Sequence, residues 1–168
     1  LQARLQSLQA RIQPHFLFNS LNSIASLIAS HPEEAEDAVL DLSDLFRASL
    51  ANPNTLSTWH AELAIAKRYL SIEQYRLGTR LHTQWHCDGV PDDLPMPHLT
   101  LQPLLENAVI YGIQPSIQGG SIEVTAAYIK GVFTLQVSNP FMLNVAPSNP
   151  LGTRLALNNI EARLKVLF

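Results

Sequence analysis

One cysteine, no long apolar run and no surplus of basic residues set the first limits on this chain. The single thiol, Cys87, excludes an intrachain disulfide framework and fits a reducing compartment. No apolar run reaches roughly 18 residues, so nothing in the sequence reads as a membrane span. The N-terminus also lacks the order of a secretory signal. Lys and Arg total 11 against 14 Asp and Glu, a net charge of −3, which gives no basic patch for direct nucleic-acid binding. Repeats and low-complexity tracts are missing too. What remains is a packable composition, 46% hydrophobic and 15% charged over 168 residues. That suits one moderate domain or two small ones, and is too apolar for a disordered chain. The chain opens in mid-pattern at Leu1 and stops at Phe168 straight after a helical run, so it reads as a piece of a longer protein.

Helices come first along the chain. Residues 1 to 29 carry a helical pattern broken at Pro14, and a second helix starts at Ser30-His31-Pro32-Glu33-Glu34. Proline suits the first helical position, and early acids suit the positive end of the helix dipole. Ala35, Val39, Leu42, Leu45, Phe46 and Leu50 form its apolar side, and it ends near Asn52-Pro53-Asn54. Two such helices form an antiparallel hairpin that cannot bury both stripes alone. Pairing with a second copy in a dimeric four-helix bundle is the expected solution. A third helix runs from Thr58 to Leu77, with Trp59, Leu63, Ala66, Leu70 and Ile72 as apolar contacts. Residues 81–88 then read as a strand, Gly89 to Pro97 as a loop, and Leu99 to Ile113 as a helix with Pro103 in its first turn or at a small break. Ser121 to Ile129 and Val132 to Ser138 read as a hairpin around Lys130-Gly131. Asn139 to Gly152 is loop, and Thr153 to Val166 is a last helix. The fold class is α+β, divided into residues 1–55 and 56–168.

Three clusters carry chemistry. In Gln13-Pro14-His15-Phe16-Leu17-Phe18-Asn19-Ser20-Leu21-Asn22 a single histidine follows a proline. At about 100° per residue, Leu17, Leu21, Ile24 and Ile28 share one stripe, while His15, Asn19, Asn22 and Ser26 take the opposite side. Leu5, Leu8 and Ile12 fall on the histidine's side, so the stripe changes phase at Pro14, where a kink is expected. A histidine on the polar face beside two carboxamides is free to act as a nucleophile. A kinked surface helix with an idle histidine explains the same pattern equally well. The second cluster is Leu101 to Ala108, where Glu106 and Asn107 stand side by side in an apolar helix. An asparagine can ligate Mg²⁺ through its carbonyl oxygen, and a neighbouring glutamate can order water or accept a proton; two solvent-facing polar residues are the plain alternative. The third cluster runs from Gly152 to Leu164. A glycine opening a helix can offer N–H groups to phosphate, although an ordinary helix start is the simpler reading.

In this order the three clusters resemble the LytS-type sensor histidine kinases, including their AlgZ-like members, over essentially the whole chain. The segment within Gln9 to Asn22 is similar to the family's Pro-His-Phe-Leu-Phe-Asn phosphoacceptor element. Leu45 to Leu50 resembles its second dimerisation helix, and Glu62-Leu63, Tyr69-Leu70 and Glu73-Gln74-Tyr75-Arg76 resemble its linker helix. Leu101 to Gly112 looks like the N box of its ATP-binding domain. The resemblance implies a helical dimerisation hairpin followed by a Bergerat-type ATP-binding α/β sandwich. It implies ATP and Mg²⁺ as cofactors, His15 as the phosphorylated residue, Asn107 as the Mg²⁺ ligand and Glu106 as the water-ordering or base residue. Asn19, one turn beyond His15, is placed to hydrogen-bond the incoming phosphoryl group. Asn139, Gly152, Arg154 and Asn158 fall on nucleotide-binding positions. A homodimer, a response regulator of the LytTR type as acceptor, and a bacterial inner-membrane parent with this part in the cytoplasm follow from the same resemblance.

Departures from the family pattern concern the nucleotide. The N box ends in Tyr111-Gly112 where His-Gly is usual, and Val137-Ser138-Asn139-Pro140 replaces an Asp-Asn-Gly segment. Arg154 and Ala156 occupy positions that are glycine in the family's phosphate loop, and side chains there limit close backbone approach. A degenerate scaffold that dimerises and docks a regulator is thus the alternative to an active kinase, and a mechanical ATPase without phosphohistidine is a further rival. Other polar residues read as bland. His82 and His86 share a strand face with Cys87 opposite, which disfavours a metal site. His31, His60 and His98 are expected at the surface, and Trp59 and Trp85 in the core or an interface.

Overall fold

The computed structural model describes residues 14–51 and 55–140, and for Pro14 and His15 the backbone alone. Helix α1 spans Pro14–Leu27 and α2 spans Pro32–Leu50. Pro32 sits in the first turn of α2 with Glu33 and Glu34, and Arg47 lies in the last, each charge at the dipole end that favours it. Strand β1, Leu56–Thr58, leads directly into α3, Trp59–Leu77. Thr58 caps α3 by accepting from Ala61 N–H at 3.3 Å. Two more first-turn donors are satisfied from a distant loop, Trp59 N–H by Leu94 C=O at 2.9 Å and His60 N–H by Asp92 C=O at 3.0 Å. At the other end Gly78 adopts φ +55° and returns its N–H to Gln74 C=O, a conformation glycine reaches without steric cost.

A short 3₁₀ turn leads to β2, Leu81–His86, then β3, Pro95–Pro97, and α4, Leu101–Ala108. The helix of α4 continues as one wider π turn over Val109–Ile113. Strands β4, Gly120–Ile129, and β5, Val132–Ser138, close the described fold. The sheet order is β2-β4-β5, with β2 parallel to β4 and β5 antiparallel to β4. Lys130 and Gly131 both take positive φ, 52° and 82°, the pattern of the tight hairpin turn expected there. The loop expected over Gly89 to Pro97 contains structure instead, because β3 pairs antiparallel with β1 as a separate two-stranded ribbon. Prolines at 95 and 97 mask it in the sequence, yet an edge ribbon tolerates a missing donor.

The core runs between α3, α4 and the sheet. Trp59, Ile72, Leu81, Leu101, Leu105, Val109, Ile113, Ile122 and Val124 are all under 2% exposed. Along β4, buried Ile122, Val124 and Ala126 alternate with exposed Glu123 and Thr125, as a strand with one covered face requires. The α1–α2 pair packs on α3, and Arg68 of α3 ties α2 down through Asp44 at 2.5 Å and Asp41 at 3.6 Å. Burial also lifts the Asp41 carboxyl above its usual range, against the pull of Arg68.

The apolar stripes differ from expectation. Within one chain α1 covers Ser20 and Ile24 and partly covers Phe16, Leu17 and Leu27, whereas Leu21 and Ile28 are 47% and 61% exposed. Ser20 enters the buried side because its hydroxyl donates to Phe16 C=O at 2.7 Å, which removes the cost of burying it. On α2 the buried residues are Ala35, Ala38, Leu42, Leu45 and Ser49, and Val39 and Leu50 face outward at 47% and 54%. Among the described residues no helix is long and apolar enough to cross a membrane.

Candidate functional site

Tyr69 occupies the middle of α3, 2% exposed. Its ring lies 5.3 Å from that of Phe16, tilted by 39°, so the residue following His15 rests directly on α3. One turn further along, Glu73 is 4% exposed and is held by Arg76, whose Nε donates to Oε2 at 3.0 Å. From α4, Gln102 Nε2 donates to Glu106 Oε1 at 3.0 Å. Burial pushes the Tyr69 hydroxyl well above its usual range, and the carboxylates of Glu73 and Glu106 push it the same way. The Glu106 carboxyl is also raised, first by burial and then by Glu73, against the stabilising bond from Gln102. Phe16, Tyr69, Glu73, Gln102 and Glu106 thus form one neighbourhood. The expected site residue Asn19 lies on α1 one turn beyond His15 and is half-buried, as is Asn107 on α4.

The other expected nucleotide contact in the described residues is Asn139. It follows β5 and closes on the far end of the α4 run, where a Cβ on Gly112 would stand 2.5 Å from Asn139 Nδ2. The two segments meet because residue 112 is glycine. Asn139 is exposed, and Nδ2 donates to Pro140 C=O at 2.8 Å. Arg80 stabilises the run behind it, donating to Gln114 C=O at 3.1 Å and Ser116 C=O at 2.6 Å, two carbonyls a helix end leaves open. The carboxamide oxygen of Asn107, the expected ligand, is a hard donor of the kind Mg²⁺ prefers, and Glu106 beside it is the expected water-ordering or base residue. In donor chemistry Asn107 therefore fits a Mg²⁺ ion. The expected contacts at Gly152, Arg154 and Asn158 lie outside the described residues, as does the side chain of His15.

A second polar centre sits at the entry to α4. Glu62 of α3 is 1% exposed and accepts from Leu99 N–H at 2.9 Å and Thr100 N–H at 2.7 Å. Leu99 adopts φ +55°, which turns two successive amides onto one carboxylate, an anion nest. His98, expected at the surface, is instead 8% exposed. Its Nε2 lies 2.7 Å from Ala48 C=O at the end of α2, and its Nδ1 lies 3.7 Å from Glu62 Oε1. A histidine is accepted in this interior because both ring nitrogens face polar partners.

His31 and His60 are exposed, and so are His82 and His86 on β2, where His86 lies 3.4 Å from Glu123. Trp59 is core, while Trp85 is half-buried beneath Lys67, whose ammonium stands 5.5 Å from the ring. Tyr69, Glu73 and Gln102 do not stand out in the sequence as site residues. The usable signal is the run of polar side chains at 62, 69 and 73 on the same helical stripe as buried Ala66, where solvent-facing residues do not belong.

Comparison with known proteins bears on this geometry. The family model for histidine kinases matches residues 3–81. The chain is 33% identical over 178 aligned residues to the sensor protein LytS of Staphylococcus haemolyticus, covering 99% of this chain and 30% of that protein. It is 32% identical over 174 to the sensor histidine kinase YpdA of Escherichia coli, covering 99% and 31%. The sensor histidine kinase/phosphatase LytS of Staphylococcus aureus is 32% identical over 179, covering 99% and 30%. The chain therefore spans about 30% of the length of the curated relatives it matches.

Proposed function

This chain belongs to the LytS-type sensor histidine kinase family, and from that premise we propose that it phosphorylates its own His15 from Mg-ATP and passes the phosphoryl group to a response-regulator aspartate. One observation carries the reading. The first turn of α1, which holds His15, and α4, which holds Glu106 and Asn107, both pack against α3. The same reading makes residues 1–55 a dimerisation hairpin in a four-helix bundle and residues 56–168 a Bergerat-type nucleotide domain. The acceptor would be a regulator of the LytTR type, and the protein the cytoplasmic part of a membrane-anchored sensor.

In the reaction, a neutral imidazole nitrogen of His15 attacks the γ-phosphorus. The N–P bond forms as the bond to the β–γ bridging oxygen breaks, and ADP leaves. The proton released from the ring goes to Glu106 or to water that it orders. Asn107 would hold Mg²⁺, which neutralises phosphate charge. Asn139 would contact the adenine, Asn19 the transferred group, and Gly152, Arg154 and Asn158 the phosphates. In the second step an aspartate oxygen attacks phosphorus, the N–P bond breaks, and the histidine is restored.

The test is incubation of the full-length protein with labelled Mg-ATP. Acid-labile, base-stable label is expected on the wild type and none on His15→Gln. A wild type that takes up no label sinks the kinase reading. Absence of Mg-ATP binding in the same protein favours the scaffold alternative, whose motive is Arg154, Ala156 and Asn139 at family nucleotide positions.

A further inference from the structure

We propose that Tyr69 is a positioning residue for phosphoryl transfer, seating the first turn of α1 beside Glu106 of the same chain so that His15 takes its phosphoryl group from nucleotide held by its own polypeptide. The proposal rests on the kinase reading above and adds to it a route and a residue. Phe16 follows His15 directly, and its ring lies 5.3 Å from Tyr69. Tyr69 is 2% exposed, so it is held by packing on all sides and gives α1 a fixed seat. On the α4 side, Glu106 is oriented by Gln102 at 3.0 Å, and α4 packs on α3, the helix that carries Tyr69; the Glu106 carboxylate adds to the upward push on the Tyr69 hydroxyl. One ring therefore touches the phosphoacceptor turn and neighbours the N-box carboxylate, both from a single chain.

The geometry of α1 allows this contact to persist in a dimer. Two of its outward apolar residues, Phe18 at 64% and Leu21 at 47% exposed, lie about 100° or more around the helix from Phe16 and Ser20. A second copy can cover the first pair without disturbing the second. The ring contact matters because each residue turns the helix by about 100°, so a roll of α1 on its seat carries the His15 position round the helix axis. A displacement of about 1 Å costs on the order of a hundredfold in such a step.

Two measurements on the full-length protein test the proposal. In the first, a His15→Gln chain and an Asn107→Ala chain carry different tags, are co-expressed and are purified through both tags. Phosphorylation within one chain predicts no label on this mixed species, and label on the Asn107→Ala chain overturns it. In the second, Tyr69→Leu is expected to slow labelling about tenfold with the KM for Mg-ATP held within roughly twofold, and Tyr69→Phe to keep the wild-type rate. An unchanged rate, or a raised KM at constant kcat, overturns the assignment. Because Tyr69→Leu disturbs a core position, Phe16→Leu reaches the same contact from its half-buried side. The double variant is expected to be no slower than either single, whereas additive losses overturn the pairing. A wild type without label is a different result and removes the kinase reading itself.

Discussion

Tyr69 carries a hydroxyl into surroundings whose nearest charges include the carboxylates of Glu73 and Glu106. Burial is the larger influence, and together they raise its pKa above the ordinary 10.0. The folded protein then holds this proton more tightly than the unfolded chain does. The corresponding stability is complete below the unfolded pKa and is lost as pH climbs past about 10 toward the folded value. Thermal melts of the wild type are expected to fall between about pH 9 and about pH 11, and those of Tyr69→Phe to fall less. Equal slopes would show that the hydroxyl does not carry the effect; Tyr75, also raised by burial, supplies part of the remaining slope. Single residues differ in how well the sequence exposes them. Glu106 and Asn107 stand out because they interrupt an apolar run, and His15 because it follows proline at a phase change. Tyr69 and Glu73 do not, since a polar residue on a core stripe is legible only once its partners from α1 and α4 are in place.

At the scale of elements, Glu62 joins α3 to the entry of α4. The carboxylate is buried and accepts two amides, one of them on left-handed Leu99. Removing it leaves both N–H groups in the interior without their acceptor. Glu62→Ala is expected to cost about 3 kcal/mol in urea unfolding, and Glu62→Gln less, because one amide oxygen can still accept. A loss well under about 1 kcal/mol for Glu62→Ala would mean that water replaces the carboxylate. The long elements are legible in the amino-acid pattern alone. Periodicity and caps place α2 and α3, and Lys130-Gly131 places the β4–β5 hairpin. The β1–β3 ribbon is not legible there, because three-residue strands containing proline have no pattern to detect and exist only through pairing. Nor is the His98 contact, which joins α2 to the approach to α4 across 50 residues of sequence.

At the scale of the molecule, the N-terminal helical pair carries a group of outward apolar residues, and further ones stand at Ile117 and at the β4–β5 turn, Ile129 and Val132. Phe18 and Leu21 on α1 and Ile28 just past its end, with Val39 and Leu50 on α2, are between 47% and 64% exposed in the single chain. The sequence stripes include Leu21, Ile28, Val39 and Leu50 because apolar pattern does not distinguish burial within a chain from burial between copies. Each such side chain gains roughly 1.5–3 kcal/mol on full burial, enough in combination to drive association of two hairpins. We predict that the full-length protein dimerises through this face and that Leu21→Glu weakens the dimer. An unpaired carboxylate in an apolar contact is costly to desolvate. The same residue is largely solvated in the single chain, so the variant is expected to keep the wild-type circular dichroism and melting temperature at concentrations where both are monomeric. Ser26→Glu, on an exposed position of α1 away from the apolar residues, serves as the control and is expected to dimerise normally. Sedimentation equilibrium measures both. A Leu21→Glu protein that dimerises as tightly as the wild type would assign this face to a partner other than a second copy of the chain.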